Sequence, residues 1–369
     1  MAQRVYLHVG LPKTGTTYVQ TVLWRNRQAL AEQGLVYPGV RRREHLWASM
    51  VVREHPGLER RNPRAEGAWD RLLEQVREAP DGVLISHEFF GAASAEQARR
   101  ALGDLGDVEV HLIVTARDLV SVVTSYWQEY VKHGFDRPLD DFPPSEDRGD
   151  EWTWAAVDLL GVLERWGSGL PPERVHLLVL PEPGAPRETL VTQFAALLGV
   201  DASVLDLEGA NPNSSLGVVE VELLRRLVRR LDGFTSALDR GVWIRGYLSH
   251  DVLVPHGSES FQPSPDRLAE LVARADATVD AVRNAHYDVV GDLERLRVGR
   301  RDELRHPSDV RAPELLSTAL DTIATMLGDL REIRRENTAL KRAMVPPPPP
   351  PPSRWERLRR RLRPSSSAR

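Results

Sequence analysis

The chain has 369 residues, of which 41% are hydrophobic, enough for one globular domain of about 250–300 residues with extensions. Its formal net charge of −4 excludes a generic nucleic-acid-binding protein. The lack of cysteine excludes disulfides and thiolate metal sites, and no apolar run is long enough for a transmembrane helix.

The N-terminal segment leads directly into a strand-like run and has no long apolar segment or small-residue cleavage site of a signal peptide. We therefore expect a cytoplasmic protein. Of the 49 basic residues, only Lys13, Lys132 and Lys341 are lysines. A lysine at a motif position therefore stands out against the arginine background.

Apolar, β-branched runs predict buried strands at Val5–Val9, Val83–Ser86, Val108–Thr115 and Val175–Leu180. Spacing near 3.6 residues predicts helices at Thr17–Gln33, Ala68–Glu78, Ala95–Leu105, Val120–Lys132, Thr153–Trp166, Arg187–Leu198, Val218–Leu231 and Leu268–Asn284. A polar loop is predicted at Ala210–Ser215. Strands separated by helices indicate an α/β fold, with a parallel sheet flanked by helices on both faces.

The pattern changes after about residue 300, so we predict a domain at 1–300 and a helical segment at 301–344. A 4-3-4-3 spacing typical of a coiled coil links Leu316, Leu320, Ile323, Leu327 and Leu330. The next seam positions are the polar residues Arg334, Asn337 and Lys341. The segment 315–342 therefore predicts either a homodimer or one amphipathic helix that folds back on the core.

Residues 345–369 are predicted to form a proline-rich spacer and a basic tail. Pro346–Pro352 would be a stiff polyproline II spacer. The favoured interpretation of Ser353–Arg369 is a disordered, solvated tail. A basic amphipathic helix with weak contact to an anionic membrane surface is the alternative.

Residues 10–17 read GLPKTGTT and lie between a predicted strand and a predicted helix. This order aims backbone N–H groups and a helix N-terminus at an anion. Gly10 and Gly15 permit the tight turn and a close approach of the backbone, and Pro12 stiffens the loop. The side chains expected to bind an anion are Lys13, Thr14, Thr16 and Thr17.

The loop departs from the Walker A pattern GxxxxGK[ST], because Thr16 stands at the lysine position and the lysine lies inside the loop. The run after His111 reads Leu-Ile-Val-Thr-Ala-Arg and contains no convincing Walker B aspartate for magnesium, which disfavours a metal-dependent NTPase. The order PK[TS]G[TS][TS] instead resembles the 5′-phosphosulfate loop of sulfotransferases that use PAPS (3′-phosphoadenosine 5′-phosphosulfate).

That family has a second signature, an arginine after a later strand and a serine eight residues on, and both bind the 3′-phosphate. Here Arg117 ends a predicted strand and Ser125 follows it by eight residues, with Ser121 as a rival for the hydroxyl. An arginine at the carboxyl edge of a strand can bind a phosphate with two N–H groups. Leu119 replaces the usual proline of the motif.

Two further segments, Ala210–Gly217 and Tyr287–Leu293, are similar to parts of bacterial sulfotransferase family proteins, so the resemblance covers roughly residues 3–298. It implies the P-loop sulfotransferase fold. Relatives also add basic contacts to the 3′-phosphate from a late loop, for which Arg245 and Gly246 are a loose candidate.

The resemblance implies transfer of a sulfuryl group from PAPS to a hydroxyl or amine of a carbohydrate, glycolipid or small metabolite, without a metal. Lys13 would stabilise the leaving phosphate oxygen. Family members use a histidine or a glutamate as the base, and Glu88 is slightly favoured here over His87, with His45 as a third candidate. Trp127, Trp152 and Trp154 hint at an acceptor cleft.

Two alternatives remain open. A P-loop kinase or NTPase would bind ATP or GTP with magnesium. A catalytically degenerate scaffold would keep the fold but have a broken cofactor site.

Overall fold

The computed structural model describes residues 2–59, 62–146, 149–207, 215–257, 259–299 and 304–344, together with residues 354, 355 and 357. The chain divides into two compact units, Met1–Thr318 and Ala319–Arg369. The boundary expected near residue 300 stays a prediction. The spacer Pro346–Pro352, nearly all of the basic tail and all but the last residue of the loop Ala210–Ser215 lie outside the described residues.

A six-stranded parallel sheet forms the centre of the first unit over the described residues. Its strand order is β2-β3-β1-β4-β5-β6. The strands are β1 (Arg4–His8), β2 (Leu35–Val36), β3 (Gly82–Ser86), β4 (Glu109–Ala116), β5 (Val175–Val179) and β6 (Asp288–Val290). His8 at the carboxyl end of β1 pairs with Ser86 of β3 and Ile113 of β4. The predicted α/β fold class is confirmed.

Helices connect these strands. They are α1 (Thr16–Arg25), α2 (Arg27–Glu32), α3 (Arg43–Val52), α4 (Ala68–Glu78), α5 (Ala95–Asp104), α6 (Leu119–Lys132), α7 (Leu159–Gly167), α8 (Glu188–Leu197), α9 (Val218–Val228), α10 (Ala237–Asp239), α11 (Pro265–Ala285) and α12 (Ala312–Met344). A π-helix spans Arg240–Leu253. In the described part of the chain, no helix is both long and apolar enough to cross a membrane.

The sheet is buried on both faces. On one face, α3, α4, α5, α7 and α11 pack around side chains such as Leu72 and Trp166. On the other, α1, α2 and α8 pack around Leu23 and Phe194. A third apolar cluster around the fully buried Trp127 joins α6, α9, α11 and the π-helix beside the sheet. Helices on both faces leave the carboxyl edge of the sheet as the place for a site.

Two predicted helices differ most in extent from the observed ones, whereas α9 ends, and α11 begins, three residues before the predicted position. The helix expected at Thr17–Gln33 is interrupted at Asn26, whose side-chain amide donates to the carbonyls of Val22 (2.8 Å) and Asp206 (2.9 Å). The helix expected at Thr153–Trp166 begins only at Leu159, after a short 3₁₀ turn at Trp154–Ala156. Strands β2 and β6, helix α3 and the π-helix were not predicted.

Candidate functional site

The loop between β1 and α1 lies at the carboxyl edge of the sheet. Gly10 and Gly15 have φ angles of +129° and +79°, which glycine adopts readily. Gly15 is the N-cap of α1 and supplies no side-chain hydrogen bond to the helix. The backbone N–H groups of the first turn are thereby oriented toward any anion that the loop encloses.

A set of buried hydroxyl groups holds the loop on the sheet. Thr14 Oγ1 donates to the carbonyl of Leu11 at 2.5 Å and lies 2.6 Å from Thr115 Oγ1 of β4. Thr115 Oγ1 in turn donates to the carbonyl of Gly10 at 2.9 Å and lies 3.2 Å from His8 Nε2. The hydroxyl of Thr14, expected to face a ligand, is therefore engaged within the loop, which leaves its backbone N–H for that role.

A cavity of about 160 Å³, here called the cationic cavity, brings together the two predicted motifs. Its lining residues are Lys13, Gly15, Arg117, Ser125, Gln128, Lys132 and Ser215. Arg117 follows β4, and Ser125 lies about two turns into α6. Of the two candidate serines, Ser125 lines this cavity. Ser121 is buried near the start of α6, where its N–H donates to the capping carboxylate of Asp118 at 2.9 Å.

Lys132 is a cationic residue of this cavity that belongs to neither motif. It lies at the last turn of α6, and burial lowers the pKa of its ammonium group, an effect that the nearby carboxylate of Glu129 partly offsets. Its only sequence signal is the scarcity of lysine in this chain. Two of the three lysines line one cavity, together with Arg117. A cavity with three cationic side chains and few anions is suited to a multiply charged anion.

A second cavity of about 310 Å³, here called the mixed cavity, adjoins the first and shares Lys13 and Gly15 with it. The remaining lining residues are Pro12, Thr16, Thr17, Leu46, Met50, Glu88, Phe89, Tyr126, Glu129, His133, Glu151, Trp152 and Arg245. The carboxylates and aromatic rings among these residues give this cavity a different chemistry from that of the cationic cavity.

An ion cluster centred on Glu129 connects the two cavities. Its carboxylate lies 3.4 Å from Lys13 Nζ, 2.5 Å from Arg245 Nε and 3.6 Å from His133 Nε2. Burial alone would raise the pKa of Glu129, but the neighbouring His133 and the charges of Lys13 and Arg245 hold it well below its usual range. Glu129 is therefore ionised at neutral pH, and its contact with Lys13 Nζ restrains that side chain.

The two base candidates next to each other in the chain have different surroundings. Glu88 lines the mixed cavity and accepts a hydrogen bond from Gln20 Nε2 at 3.0 Å. Burial would raise its pKa, but His87, a backbone N–H, Gln20 and His8 together outweigh burial and lower it, so the carboxylate is ionised. His87 Nδ1 accepts the backbone N–H of Phe89 at 3.2 Å as the N-cap of a 3₁₀ turn. Burial lowers the pKa of His87, and the hydrogen bond from Phe89 requires an Nδ1 atom without a proton.

His45 lies in α3 and is almost fully buried. Its Nε2 lies 2.9 Å from the carbonyl of Pro38, and its Nδ1 accepts the N–H of Ser86 at 3.3 Å. Burial lowers its pKa to about 4. Both ring nitrogens are occupied by backbone groups, which is the arrangement of a structural histidine.

The remaining sequence candidates, Arg245 and the tryptophans, lie in different parts of the structure. Arg245 belongs to the π-helix instead of a loop and lines the mixed cavity with Trp152. Trp127 is a core residue whose Nε1 donates to the carbonyl of Arg137 at 2.8 Å. Trp154 lines a third, mainly apolar cavity of about 260 Å³, which shares Arg117 with the cationic cavity. Over the described residues, no group of three or more metal-binding side chains is close enough to hold a metal ion.

Few known proteins are similar to this chain. No protein family matches the chain, and no curated protein sequence does. Among solved structures, the crystal structure of a sulfotransferase from Alicyclobacillus acidocaldarius is similar, with a TM-score of 0.39 and 17% identity. The match covers 57% of this chain and 87% of that one. A likeness of this size carries no argument about function, so the proposal below rests on the residues of the site.

Proposed function

We propose that the protein is a PAPS-dependent sulfotransferase. The observation that carries the proposal is the convergence of Lys13, Arg117, Ser125 and Lys132 on the cationic cavity at the carboxyl edge of the sheet. PAPS carries negative charge at both its 5′ and 3′ ends, so it needs cationic groups at two places. The loop at 10–17 and the Arg117–Ser125 pair would supply them separately.

In the proposed reaction, an acceptor oxygen forms a bond to the sulfur atom as the bond from sulfur to the bridging phosphate oxygen breaks. The nucleotide PAP leaves with the electron pair of that bond. Negative charge grows on the bridging oxygen, where Lys13 and the N–H groups that begin α1 would stabilise it. This chemistry needs positioning and electrostatic stabilisation, and both are available from the chain's own groups.

The acceptor proton would pass to Glu88. Its carboxylate is ionised and lines the mixed cavity beside the loop, whereas Nδ1 of His87 already accepts a backbone N–H. The carboxylates that line the mixed cavity and the indole of Trp152 suit a polyhydroxylated acceptor such as a carbohydrate. Carboxylates accept hydrogen bonds from hydroxyl groups, and aromatic faces pack on sugar rings.

Isothermal titration calorimetry with PAP, ATP–magnesium and GTP–magnesium tests the cofactor. We expect PAP to bind, and Arg117→Ala and Lys132→Ala each to weaken binding about 10- to 100-fold through the loss of a charge-assisted contact. Lys341→Ala removes the one lysine that lies outside the cavity and should leave PAP affinity unchanged. Binding of ATP–magnesium without PAP binding would refute the proposal in favour of a nucleotide kinase or NTPase.

The base is tested by transfer of label from [³⁵S]PAPS to a panel of saccharides and phenols. Glu88→Gln should lower turnover about 10²- to 10⁴-fold while PAP affinity stays within about twofold. His87→Gln tests the rival, and a larger loss there than in Glu88→Gln would reassign the base. A protein that binds PAP but transfers no label to any acceptor, not even slowly, would favour the scaffold alternative.

A further inference from the structure

The second unit carries an exposed apolar stripe that the site does not use. In α12, the side chains of Leu327, Leu330, Ile333 and Leu340 are 48–61% exposed. Exposed apolar side chains in a continuous row along a helix are typical of an interaction surface. The predicted seam that starts at Leu316 fades at Arg334, and yet this stripe continues to the end of the helix.

A second heptad register accounts for the continuation. Residues spaced 3-4-3-4-3-4 are Ile323, Met326, Leu330, Ile333, Asn337, Leu340 and Met344. We call these seven residues the C-terminal seam. With Ile323 as position a, Asn337 is the single polar residue and also occupies an a position. One buried asparagine at a is a device that sets register and favours a parallel pair, because it then faces the same residue of the partner helix.

The charges beside the C-terminal seam fit the same arrangement. Asp329 and Glu336 occupy g positions, and Arg334 and Lys341 occupy the e positions five residues further on. In a parallel, in-register pair, g faces the following e of the partner, so both contacts join opposite charges. In an antiparallel pair, g faces g and e faces e, which would oppose like charges at every one of these positions.

From this complementarity we propose that the C-terminal seam binds a second copy of this chain as a parallel, in-register coiled coil. The occupant is a second copy because the seam is complementary to itself in both its charges and its one asparagine. This inference does not depend on the proposed enzymatic function, and the two can fail separately.

Sedimentation velocity of the full chain tests the association. We expect a species of twice the 41.5 kDa of one chain. Leu340→Glu places a charge in the seam and should raise the dimer dissociation constant at least about 100-fold. Ala339→Glu adds the same charge one residue away, at the outward c position, and should leave the dimer intact. Circular dichroism of both variants checks that the helical content is kept.

A wild-type chain that stays monomeric at about 50 μM would overturn the proposal, as expected if the helix instead folds back on its own chain. A dimer that survives Leu340→Glu would do the same, since the interface would then lie elsewhere.

Orientation is tested by single-cysteine crosslinking, which is clean because the chain has no cysteine of its own. In a parallel, in-register pair, Met344→Cys places two thiols at the same a layer, and mild oxidation should join them. Ala339→Cys, at the outward c position, should not crosslink. A dimer in which Met344→Cys fails to crosslink would refute the parallel arrangement.

The charge pairs have their own test. Arg334→Glu with Lys341→Glu should weaken the dimer, since every g–e contact then joins like charges. Adding Asp329→Lys and Glu336→Lys restores opposite charges and should restore the dimer. Equal stability of the first variant and the wild type would show that these pairs do not set the partner.

Discussion

Substitution of Glu129 by glutamine should change PAP binding in the direction opposite to the usual one. Loss of a buried, charged residue in a binding site usually weakens binding. Here the carboxylate of Glu129 lies 3.4 Å from the ammonium of Lys13, so in the ligand-free protein it competes with any anion for that lysine. It would also repel an anion that enters beside it. We therefore expect Glu129→Gln to bind PAP more tightly.

The size of the gain follows from the distance. Two unit charges 3.4 Å apart interact by about 1 kcal/mol in bulk water and by about 5 kcal/mol at an effective dielectric constant of about 20. Lys13 and Glu129 keep only 22% and 15% of their side-chain exposure, so the interaction energy lies between these two limits. We expect about 1.4 kcal/mol, which is about a tenfold lower dissociation constant.

The assay is titration of PAP at two ionic strengths. The tenfold gain should shrink as salt rises, because screening weakens both the competition and the repulsion. Asp136→Asn is the matched control. It makes the same change in net charge at an exposed carboxylate that pairs with Arg229 at 2.6 Å, away from either cavity. Unchanged or weaker PAP binding by Glu129→Gln would refute the reasoning, and an equal gain in Asp136→Asn would assign the effect to net charge.

Three further outcomes follow from the same structure. Thr115→Val removes the hydroxyl that bonds to the loop, and it should lower the free energy of unfolding by about 1–3 kcal/mol and weaken PAP binding. Denaturant titration measures the first effect and calorimetry the second. Gly15→Ala should weaken PAP binding, because a φ of +79° is strained for alanine and the new methyl would lie 2.5 Å from Leu190 Cδ2; unchanged binding would contradict the loop geometry. Burial lowers the pKa of His8 and of His45 from 6.5 to about 4, so between pH 7 and 5 only the unfolded chain takes up a proton at these residues. The free energy of unfolding should therefore fall by about 2 kcal/mol for each of them over this range. Urea denaturation at both pH values measures this loss, and a flat profile would contradict it.

The parts of the fold that the sequence predicts are those with strong periodicity. Helix α4 has the predicted bounds Ala68–Glu78, and its apolar face is buried through residues such as Leu72. The missed strands β2 and β6 have two and three residues, too short for an alternating pattern to develop. They exist because the sheet edge offers hydrogen-bond partners, as where Leu35 pairs with Gly82. That is tertiary context, which a local pattern does not contain.

The same distinction separates the predicted from the unpredicted parts of the site. Arg117 and Ser125 have fixed spacing within one strand–helix unit, so a motif can specify them. Lys132 enters the same cavity from the far end of α6 and belongs to no motif. Arg245 is only a loose sequence candidate for a late loop, and it reaches the mixed cavity from a π-helix that begins more than a hundred residues after α6. Only the packing of the third apolar cluster beside the sheet determines where these two side chains lie.

Glu129 couples the two cavities electrostatically. Its carboxylate is held by Lys13 from the loop and by Arg245 from the π-helix, so it couples the cationic cavity to the mixed cavity through one charge. If an anion takes Lys13, Glu129 loses one of its counter-charges and keeps that of Arg245. The wall of the mixed cavity then becomes more negative and accepts hydroxyl or amine hydrogens more strongly. Occupancy of the cationic cavity should therefore strengthen acceptor binding in the neighbouring one. By linkage, a bound acceptor should strengthen PAP binding by the same factor.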